Sequence, residues 1–591
     1  MRNAFLIFLV AIPLMSVGQT DFRSIHQEES EYYKRMGYMR TEQFDSLHGI
    51  KDLKINAGKG SELQYRVFGY HPYWMGSAYL NYRWELLSDL CFFSYEVDPF
   101  TGDPYTTHDF LTAPVVDSAF ANGTDVHLCV TLFSGHYVFF ESPQAQQNLI
   151  DNLIYYVETR EAQGINIDFE AVPYSLGEEF MLFLAALGEQ FHQAMPEGVL
   201  SIAMPAVDWG GMFDIELMNE YIDLYMIMGY DYYWTGSSQA GPVAPLYGFT
   251  AAYDYCLSKT LSYYFSQGIN RQKLLLGLPY YARQWPTQDG SIPSNTTGDG
   301  AAYQYATIKN NSSGFYEPPY RHWDPVSFSN YYAFESGTQW YQCFLEEAYG
   351  LGKRYDVVKQ LGVNGIGIWA LGYDEGYIEL WDLINTKLCD HNTVGISDTL
   401  YDSGGPYRNY FNNERYCIYL RNDTLGALRL NFIEFALEDG YDTLWVFDGP
   451  DTASNLIGFY TGSDSPLSVA SSGSEMTLYF KSDAGVTQSG WMAVCDESVS
   501  IVKQTSGLRN FELIENPVRE KIRIRADLSE DIQAGISLWG LDGSMLFQKD
   551  VAFEAGQTEM NLPLPAHIPP GCCFLQVVAG EYTFVERILV L

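Results

Sequence analysis

Three polar residues with the chemistry of acids, bases and amides alternate along an apolar run. They are Asn166, Asp168 and Glu170, and isoleucine or phenylalanine fills the positions between them. In an extended strand, residues two apart share a face, so these three would line one side while the apolar residues pack on the other. Such a strand delivers two carboxylates into a pocket, where they can act in proton transfer. An antiparallel strand with its polar face in water shows the same alternation, and these residues alone leave that alternative open.

The elements that would position these residues recur as short apolar runs separated by helical or loop segments. The runs are residues 67–70, 90–95, 126–133, 165–170, 200–205, 224–230, 274–280 and 366–371. Eight such runs alternating with helices are typical of a (β/α)8 barrel, a TIM barrel, whose strands open at their carboxyl ends onto the active site. Ionisable and aromatic residues gather at several of these run ends, which is where that fold places catalysis.

The rest of the chain predicts additional domains. The barrel region, residues 65–387, exceeds the ~250 residues of a plain barrel, and its surplus predicts a small inserted α+β subdomain at about residues 286–340. Beyond residue 384, short alternating runs with Gly, Asp and Ser turns predict two all-β sandwich domains, residues 397–497 and 508–591. The predicted fold class is therefore α/β, a barrel with one insertion, followed by two sandwiches.

The first residues are typical of an exported protein. Arg2, an apolar run over residues 4–15 and small residues up to position 18 predict a signal peptide, residues 1–18. No segment is long enough to span a bilayer, so we expect no transmembrane segment and a secreted or cell-surface protein. Residues 19–64 are polar, with a weak helical pattern over residues 32–44, and we interpret them as a leader or linker.

Composition limits the partners. The chain has 591 residues and a formal net charge of −39, with 73 acidic against 34 basic residues. This excess of negative charge repels phosphate backbones, so nucleic acid is not expected as a partner. Aromatic residues make up 16% of the chain, and their faces suit sugars.

Neither cysteine nor histidine spacing predicts a metal centre. The nine cysteines form no Cys-x-x-Cys pair. Cys389, Cys417 and Cys495 allow three disulfide pairings, among which the sequence does not choose. The ten histidines show no ligand spacing and are interpreted as solvated or core residues.

The barrel resembles the family 18 glycoside hydrolases, the chitinase-like family. That family's fourth-strand motif Asp-x-x-Asp-x-Asp-x-Glu falls on residues 163–170, where Asp168 and Glu170 are kept while Gln163 and Asn166 replace the first two acids. Four further family motifs are present in the right order along the chain: Gly69-Tyr70, Met228-Gly229-Tyr230-Asp231, Gly277-Leu278-Pro279-Tyr280-Tyr281 with Arg283, and Gly365-Ile366-Gly367-Ile368-Trp369-Ala370. The family's third-strand Ser-x-Gly-Gly is absent.

The resemblance implies hydrolysis of β-linked glycans containing N-acetylglucosamine, of chitin or peptidoglycan type, without a catalytic cofactor. Retention of configuration would come from substrate assistance, an exception to the two-carboxylate scheme. Glu170 would be the general acid, kept protonated by the neighbouring Asp168. Asp168 and Tyr230 would hold the substrate's 2-acetamido group, and Trp369 would lie beneath the sugar.

Other residues carried over by the resemblance have structural alternatives. Asn166 would either join the catalytic set or bridge strands as a buried amide. Substrate contact is expected from six further residues, for which core packing is an equal alternative: Tyr70, Phe92, Met228, Asp231, Tyr281 and Arg283. Asp231 and Arg283 could also simply pair with each other. The alternative function is a lectin-like barrel that binds glycans without cutting them and serves as a surface adhesin; retention of Glu170 favours the enzyme.

The two sandwiches resemble known modules. Residues 401–405, 441–449 and 480–483 resemble a CUB domain, which implies a structural calcium ion at Glu438, Asp442 and Asp483, with a merely solvated acidic loop as the alternative. Residues 515–518, 538–543 and 584–591 resemble the C-terminal sorting domain of the type IX secretion system. This second resemblance implies the type IX machinery as a partner and export across an outer membrane.

Overall fold

The computed structural model describes residues 22–37, 62–497, 508–514, 518–528, 531–540, 545–565, 568, 571–579 and 582–590. The chain divides into two compact units, Met1–Ser498 and Val499–Leu591. The predicted signal peptide lies outside the described residues, as do residues 38–61 of the predicted leader.

The first unit begins with an α/β architecture. Its strands are β1 Arg66–Pro72, β2 Asp89–Val97, β3 Pro104–Thr106, β4 Asp125–Leu132, β5 Gly164–Phe169, β6 Val199–Pro205, β7 Leu224–Met228, β8 Leu274–Pro279, β9 Tyr281–Thr287, β10 Ala301–Gln304, β11 Arg321–Asp324, β12 Ser329–Ser336, β13 Gln339–Leu345 and β14 Gly365–Trp369. Its α-helices are α1 Ile25–Arg35, α2 Pro114–Ala121, α3 His136–Phe140, α4 Pro143–Arg160, α5 Gly177–Ala194, α6 Ile215–Tyr221, α7 Leu257–Ser266, α8 Tyr305–Asn310, α9 Ala348–Gln360 and α10 Glu379–Lys387.

Eight parallel strands close into a barrel. The order β1-β14-β8-β7-β6-β5-β4-β2 closes because β1 pairs with both β14 and β2. Each predicted apolar run corresponds to one of these strands, within about two residues at either end. The runs are apolar because both faces of such a strand are covered, one by the barrel interior and one by helices. The predicted fold class is confirmed.

Strand β5 shows how this packing orients the polar residues. Every residue from Gly164 to Phe169 is buried. Phe169 faces the helical layer, where its ring stacks at 5.8 Å from both Phe180 and Phe183 of α5. Because successive side chains alternate, Asn166 and Asp168 point the other way, into the barrel.

The insertion between β8 and β14 is a five-stranded antiparallel sheet of order β10-β9-β13-β12-β11 with the single short helix α8. This is the α+β subdomain expected from the sequence. Its strands β9 and β13 begin and end beside the barrel mouth, so the insertion forms one wall next to the carboxyl ends of the barrel strands.

An all-β sandwich completes the first unit. Its strands are β15 Thr399–Tyr401, β16 Arg415–Arg421, β17 Leu428–Ala436, β18 Thr443–Asp448, β19 Asn455–Tyr460, β20 Ser468–Ala470, β21 Glu475–Lys481 and β22 Gly490–Glu497. They form two four-stranded sheets, β15-β22-β17-β20 and β16-β21-β18-β19. The sandwich is fastened to α7 of the barrel by hydrogen bonds from Ser258 to the Ser403 carbonyl and from Ser262 to Glu414, each 2.6 Å long. In this described region Cys417 and Cys495 are free thiols.

The second unit is also all-β. Its strands are β23 Leu508–Leu513, β24 Lys521–Leu528, β25 Ile532–Gly540, β26 Met545–Phe553, β27 Gly556–Pro563, β28 Gly571–Ala579 and β29 Tyr582–Val590. They form the sheets β23-β24-β27 and β26-β25-β28-β29 around a separate apolar core. Residues 515–517, 541–543 and 591 of the predicted sorting-domain motifs lie outside the described residues. Within the part of the chain that is described, none of the helices has both the length and the apolar character that crossing a membrane requires.

Candidate active site

The carboxyl end of β5 brings Asp168 and Glu170 to one point in the barrel mouth. Asp168 is fully buried, and Glu170, which follows the last residue of the strand, is 8% exposed. A single nitrogen atom, Nδ1 of His26, lies 2.8 Å from Asp168 Oδ2 and 3.1 Å from Glu170 Oε1. The two acids therefore act on the same small volume, as the alternation along β5 predicts.

His26 belongs to helix α1, which lies in the barrel mouth. The other ring nitrogen, Nε2, lies 2.9 Å from the hydroxyl oxygen of Tyr230, which follows β7. Beneath the imidazole lies the indole of Trp369 at the end of β14, with ring centroids 3.6 Å apart and planes inclined by 28°. The ring of His26 is thus held by three polar side chains around its edge and by one aromatic face.

Two glutamates of α1 make further contacts across the mouth. Glu29 accepts hydrogen bonds from Trp369 Nε1 at 3.1 Å and from the Tyr373 hydroxyl at 2.6 Å. Glu28 forms an ion pair with Arg283 at 3.0 Å. The backbone N–H of Ile25 donates to Asp231 Oδ2 at 2.9 Å.

Burial and charge perturb the ionisation of the groups at this point. Burial alone would lower the pKa of His26, but the carboxylates of Asp168 and Glu170 outweigh it and raise that pKa to about 10. His26 is therefore an imidazolium at neutral pH, and both of its nitrogens donate hydrogen bonds. Burial and the adjacent Asp168 raise the pKa of Glu170, whereas the bonds from His26 and Ser24 oppose that rise. Burial raises the pKa of Glu29 to about 7.

Asn166 is deeper in the barrel than the two acids. Its Oδ1 accepts a hydrogen bond from the Tyr70 hydroxyl at 3.0 Å, and its Nδ2 donates to Ser201 Oγ at 2.9 Å. The amide thus links side chains from three strands, β1, β5 and β6. Tyr70 also contacts the site directly, since its ring centroid lies 5.6 Å from that of Trp369.

Asp231, Tyr281 and Arg283 form one hydrogen-bonded group beside the acids. Asp231 Oδ1 accepts from the Tyr281 hydroxyl at 2.7 Å and from Arg283 Nη2 at 2.9 Å. Burial works to lower the pKa of Arg283, but Asp231 and Glu28 outweigh it and raise that pKa. The pairing of Asp231 with Arg283 that the sequence left open is present, and both residues also contact α1.

Phe92 does not reach the site. Its ring packs against Phe110 and His71 at centroid distances of 5.6 and 6.4 Å, on the outer side of β2. The next residue, Phe93, points inward, with its ring 5.0 Å from Trp369 and 5.7 Å from His26. The expected substrate contact of Phe92 is therefore corrected to Phe93, because adjacent strand residues face opposite sides. Met228, at the end of β7, is half-buried and packs against the apolar core.

His26 is a site residue that the sequence does not single out, since its histidines are interpreted as solvated or core residues. The weak helical pattern at residues 32–44 also differs from the helix observed, because α1 begins at Ile25 and ends at Arg35. One local signal was available. Ser24 and Gln27 have the spacing of a capping box, and Ser24 Oγ does accept a hydrogen bond from the Gln27 N–H at 3.1 Å. That signal locates the start of a helix, but it does not say where the helix binds.

A second polar cluster lies in the sandwich. Glu438, Asp442 and Asp483 bring one carboxylate oxygen each to within 4.8 Å of the others. Asp442 accepts hydrogen bonds from the Tyr410 hydroxyl and from the Asp483 N–H, the latter at 2.9 Å. The donor set consists of oxygen only, which suits a hard divalent cation.

Comparison with known families agrees with this geometry. Residues 122–374 match the family model described as Glycosyl hydrolases family 18. This match covers the barrel strands from β4 to β14. Residues 389–494 match the model of the CUB domain, which covers the sandwich of the first unit. The first of these matches contains β5 with Asp168 and Glu170, and also Tyr230 and Trp369.

Individual relatives match separate parts of the chain. A Bacillus subtilis (strain 168) protein named "Putative sporulation-specific glycosylase YdhD" is 26% identical over 247 residues, 40% of this chain and 53% of that protein. A Caenorhabditis elegans "Probable endochitinase" is 25% identical over 265 residues, 40% of each chain. Human "Tolloid-like protein 2" is 34% identical over 111 residues, 18% of this chain and 11% of that protein. The chain thus spans about half the length of the first of these relatives and less of the other two.

Solved structures also resemble this chain. A class V chitinase from Nicotiana tobaccum, in complex with NAG4, is 16% identical with a TM-score of 0.49, covering 56% of this chain and all of that one. The Bacillus cereus spore cortex-lytic enzyme SleL is 18% identical with a TM-score of 0.46, covering 56% of this chain and 76% of that one.

Proposed function

We propose that the barrel hydrolyses β-linked glycans that contain N-acetylglucosamine, of chitin type or peptidoglycan type. One observation carries the proposal: Asp168, Glu170 and Tyr230 converge on a single ring-sized position that lies on the face of Trp369. Two relatives named as a glycosylase and an endochitinase support this class of substrate.

Glu170 is suited to donate a proton to the departing glycosidic oxygen. A general acid must be protonated at the working pH, and burial together with Asp168 raises the pKa of Glu170. With a neutral sugar in place of the His26 imidazolium, the interaction that opposes this rise is lost, so the protonated acid is favoured further. Proton donation of this kind contributes roughly 10²–10⁴-fold to a rate.

Asp168 and Tyr230 would hold the 2-acetamido group of the substrate. Asp168 Oδ1 is buried and has no hydrogen-bond partner among the described residues. The carboxylate can therefore accept the amide N–H and balance the positive charge that develops as the acetamido oxygen attacks C1. The Tyr230 hydroxyl donates to that oxygen and orients it. The configuration at C1 is retained because the sugar itself supplies the first nucleophile, and water then opens the oxazolinium ring from the opposite face.

The remaining residues keep these groups in place. Trp369 offers its indole face to the sugar ring. Asn166 fixes Tyr70 through a 3.0 Å hydrogen bond, and it brings no second negative charge next to Asp168. Asn166 is therefore a positioning residue in this proposal.

The test is release of a fluorophore from a chitooligosaccharide glycoside, together with release of muropeptides from peptidoglycan. Glu170→Gln should reduce release by at least about 10²-fold with substrate binding retained. Glu178→Gln is the matched control, since Glu178 is an exposed glutamate at the start of α5 and should not change the rate.

Because His26 occupies the central position, both assays also use His26→Ala protein. No release by wild type or by His26→Ala on either polymer, with oligosaccharide binding intact, would overturn hydrolysis and favour the lectin-like alternative. Equal rates for Glu170→Gln and wild type would overturn the role of Glu170.

In the sandwich, we propose that Glu438, Asp442 and Asp483 hold a structural calcium ion. Three carboxylates within 4.8 Å repel one another unless a cation joins them. Adding Ca²⁺ should raise the melting temperature of wild type but not of Asp442→Asn, whereas Mg²⁺ should do less. An identical response of the two proteins would exclude this site.

For the second unit, we propose the role of a type IX sorting domain that directs export to the outside of the cell or to its surface. Support comes from the resemblance of residues 515–518 and 584–591 and from a core that is separate from that of the first unit. Removing residues 499–591 should leave the first unit folded but retained within the cell envelope. Unchanged export of the shortened chain would contradict the proposal.

A further inference from the structure

Helix α1 lies where the substrate would have to lie. Its His26 is fully buried in the barrel mouth, between Asp168, Glu170 and Tyr230 on one side and the indole of Trp369 beneath. A glycan cannot place a sugar on Trp369 while this ring is present, because two rings cannot share one position. The same chain therefore supplies both the site and its occupant.

His26 contacts the same side chains that are proposed to hold a substrate's acetamido group. Nδ1–H donates to Asp168 Oδ2 at 2.8 Å, and the same carboxylate is the acceptor proposed for the amide N–H through its other oxygen. Nε2–H donates to the Tyr230 hydroxyl oxygen at 2.9 Å. Tyr230 is the residue proposed to orient the amide oxygen, although it accepts a hydrogen bond from His26 and would donate one to the substrate. The flat imidazole stacks on Trp369 as the face of a sugar would. The side chain thus occupies the space next to the groups that recognise the substrate.

Contacts of α1 continue along the mouth in both directions. On one side Glu28 pairs with Arg283 at 3.0 Å. On the other, Tyr33 stacks on Trp74 at 4.9 Å and Lys34 forms an ion pair with Glu96 at 2.5 Å. The helix therefore covers a stretch of cleft longer than one sugar.

The occupant also acts on the ionisation of the acid. The imidazolium of His26 and its hydrogen bond act against the rise in the pKa of Glu170 that burial and Asp168 cause. A carboxylate held next to a cation favours its ionised form, whereas proton donation requires the neutral form. Departure of α1 would therefore both empty the site and favour the protonated acid.

We propose that α1 is an intramolecular inhibitor that fills the sugar-binding cleft, and that the hydrolase acts only while α1 is out of it. This inference rests on the proposed function, since it assigns the inhibitor to the same site. The helix belongs to the N-terminal segment of the chain and is followed by residues 38–61 before the barrel begins at β1. Its loss would leave all eight barrel strands in place.

The first experiment compares rates of glycoside hydrolysis in full-length variants. His26→Ala and, separately, Glu29→Ala should raise kcat/KM by roughly 10- to 100-fold, the effect expected when hydrogen bonds to charged groups are removed. Neither change alters a residue of the barrel. Glu31→Ala is the control on the same helix, because Glu31 is 41% exposed at its side chain and pairs with Arg23 near the surface; it should leave the rate unchanged.

The second experiment measures binding without catalysis. In a Glu170→Gln background, calorimetry with chitotetraose should show tighter binding after His26→Ala by a similar factor, because the apparent affinity is proportional to the fraction of molecules whose cleft is open. A synthetic peptide of residues 22–37 should compete with chitotetraose for the full-length protein that carries both Glu170→Gln and His26→Ala. The same peptide with Ala in place of His26 should compete at least about tenfold less well.

The outcomes separate the two proposals. If the two α1 variants hydrolyse no faster than wild type and bind chitotetraose no more tightly, the inhibitor is overturned while hydrolysis stands. If no protein hydrolyses either polymer but His26→Ala tightens binding, occupation of the cleft stands and the hydrolase proposal fails. A gain in activity with Glu31→Ala equal to that with His26→Ala would overturn the specific role of His26.

Discussion

The bond between His26 and Asp168 should control how firmly α1 is held, and Asp168→Asn weakens it while keeping the shape of the side chain. The two groups are 2.8 Å apart and both are fully buried. Asparagine can still accept a hydrogen bond through its oxygen, but it has no charge. The substitution therefore removes the Coulomb attraction and leaves the packing almost unchanged.

The expected size of the effect of Asp168→Asn follows from the pKa of His26. Burial opposes the charged form, yet the two carboxylates raise the pKa from 6.5 to about 10. Since each pKa unit is worth about 1.36 kcal/mol, docking favours the protonated ring over the neutral ring by several kcal/mol. An opposite charge at this distance accounts for about 1–3 pKa units. Asp168→Asn should therefore lower the pKa of His26 by that amount. The part of the rise in pKa that Glu170 causes should remain.

The direction of the pH dependence follows from the same values. The pKa of His26 is higher when α1 is docked than when it is free, so the docked state binds the proton more tightly. The stabilisation that His26 contributes is complete below pH 6.5 and is lost as the pH rises to about 10. In Asp168→Asn the loss should begin at the same pH but be complete at a lower one.

The measurement is an NMR titration of protein labelled only at histidine, of which the chain has ten. The resonance that is missing from His26→Ala identifies His26. His71 serves as an internal reference, because burial lowers its pKa to about 3 and it should stay neutral throughout. Asp223→Asn, beside the partly exposed His192, is the matched control and should not affect His26.

Two results would refute the reasoning. One is a His26 resonance that titrates near pH 6.5 in wild type, which would mean that the ring is not held between carboxylates. The other is an unchanged His26 titration in Asp168→Asn, which would mean that the attraction comes from elsewhere.

Three further predictions concern stability and binding. Phe169→Ala should lower the free energy of unfolding of the first unit by about 3–5 kcal/mol in urea denaturation, because the ring stacks on two phenylalanines of α5; a loss below about 1 kcal/mol would contradict this packing. Gly365→Ala should also destabilise the barrel in the same assay, since its Cβ would lie 2.0 Å from the Arg66 carbonyl oxygen where β14 pairs with β1. Gly426→Ala is the control and should be nearly neutral, because a Cβ there meets nothing within 4 Å. In a His26→Ala background, Phe93→Ala should weaken chitotetraose binding in calorimetry and Phe92→Ala should not, because, of these two rings, Phe93 is the one that contacts Trp369. A larger loss of binding with Phe92→Ala than with Phe93→Ala would contradict the placement of the two rings.

Much of the barrel could be predicted because its signals are local. A strand covered on both faces must be apolar along its length, so each run of residues marks a strand without knowledge of its neighbours. Alternation along β5 likewise predicts that Asn166 and Asp168 share a face, which the structure bears out through their contacts inside the barrel.

Two other features were harder to predict: which of two neighbouring strand residues faces inward, and which residues far apart in the chain come into contact. Phe92 and Phe93 are the same residue type at consecutive positions, so composition cannot say which one faces inward; the register of β2 against its neighbours decides it. His26 is 142 positions from Asp168 along the chain. No periodicity connects them, and the spacing between histidines gives no indication that one of them belongs to the site.

The sequence by itself determined the strands, the closing of eight of them into a barrel and the pair of acids at the end of β5. These follow from side-chain period and from residue chemistry, both of which are properties of short segments. Only the tertiary structure decided what lies against those acids. A polar helix can be stable in water or docked in a cleft. Which of the two occurs here depends on the site between the acids and Trp369, and that site exists only after distant strands have closed into the barrel.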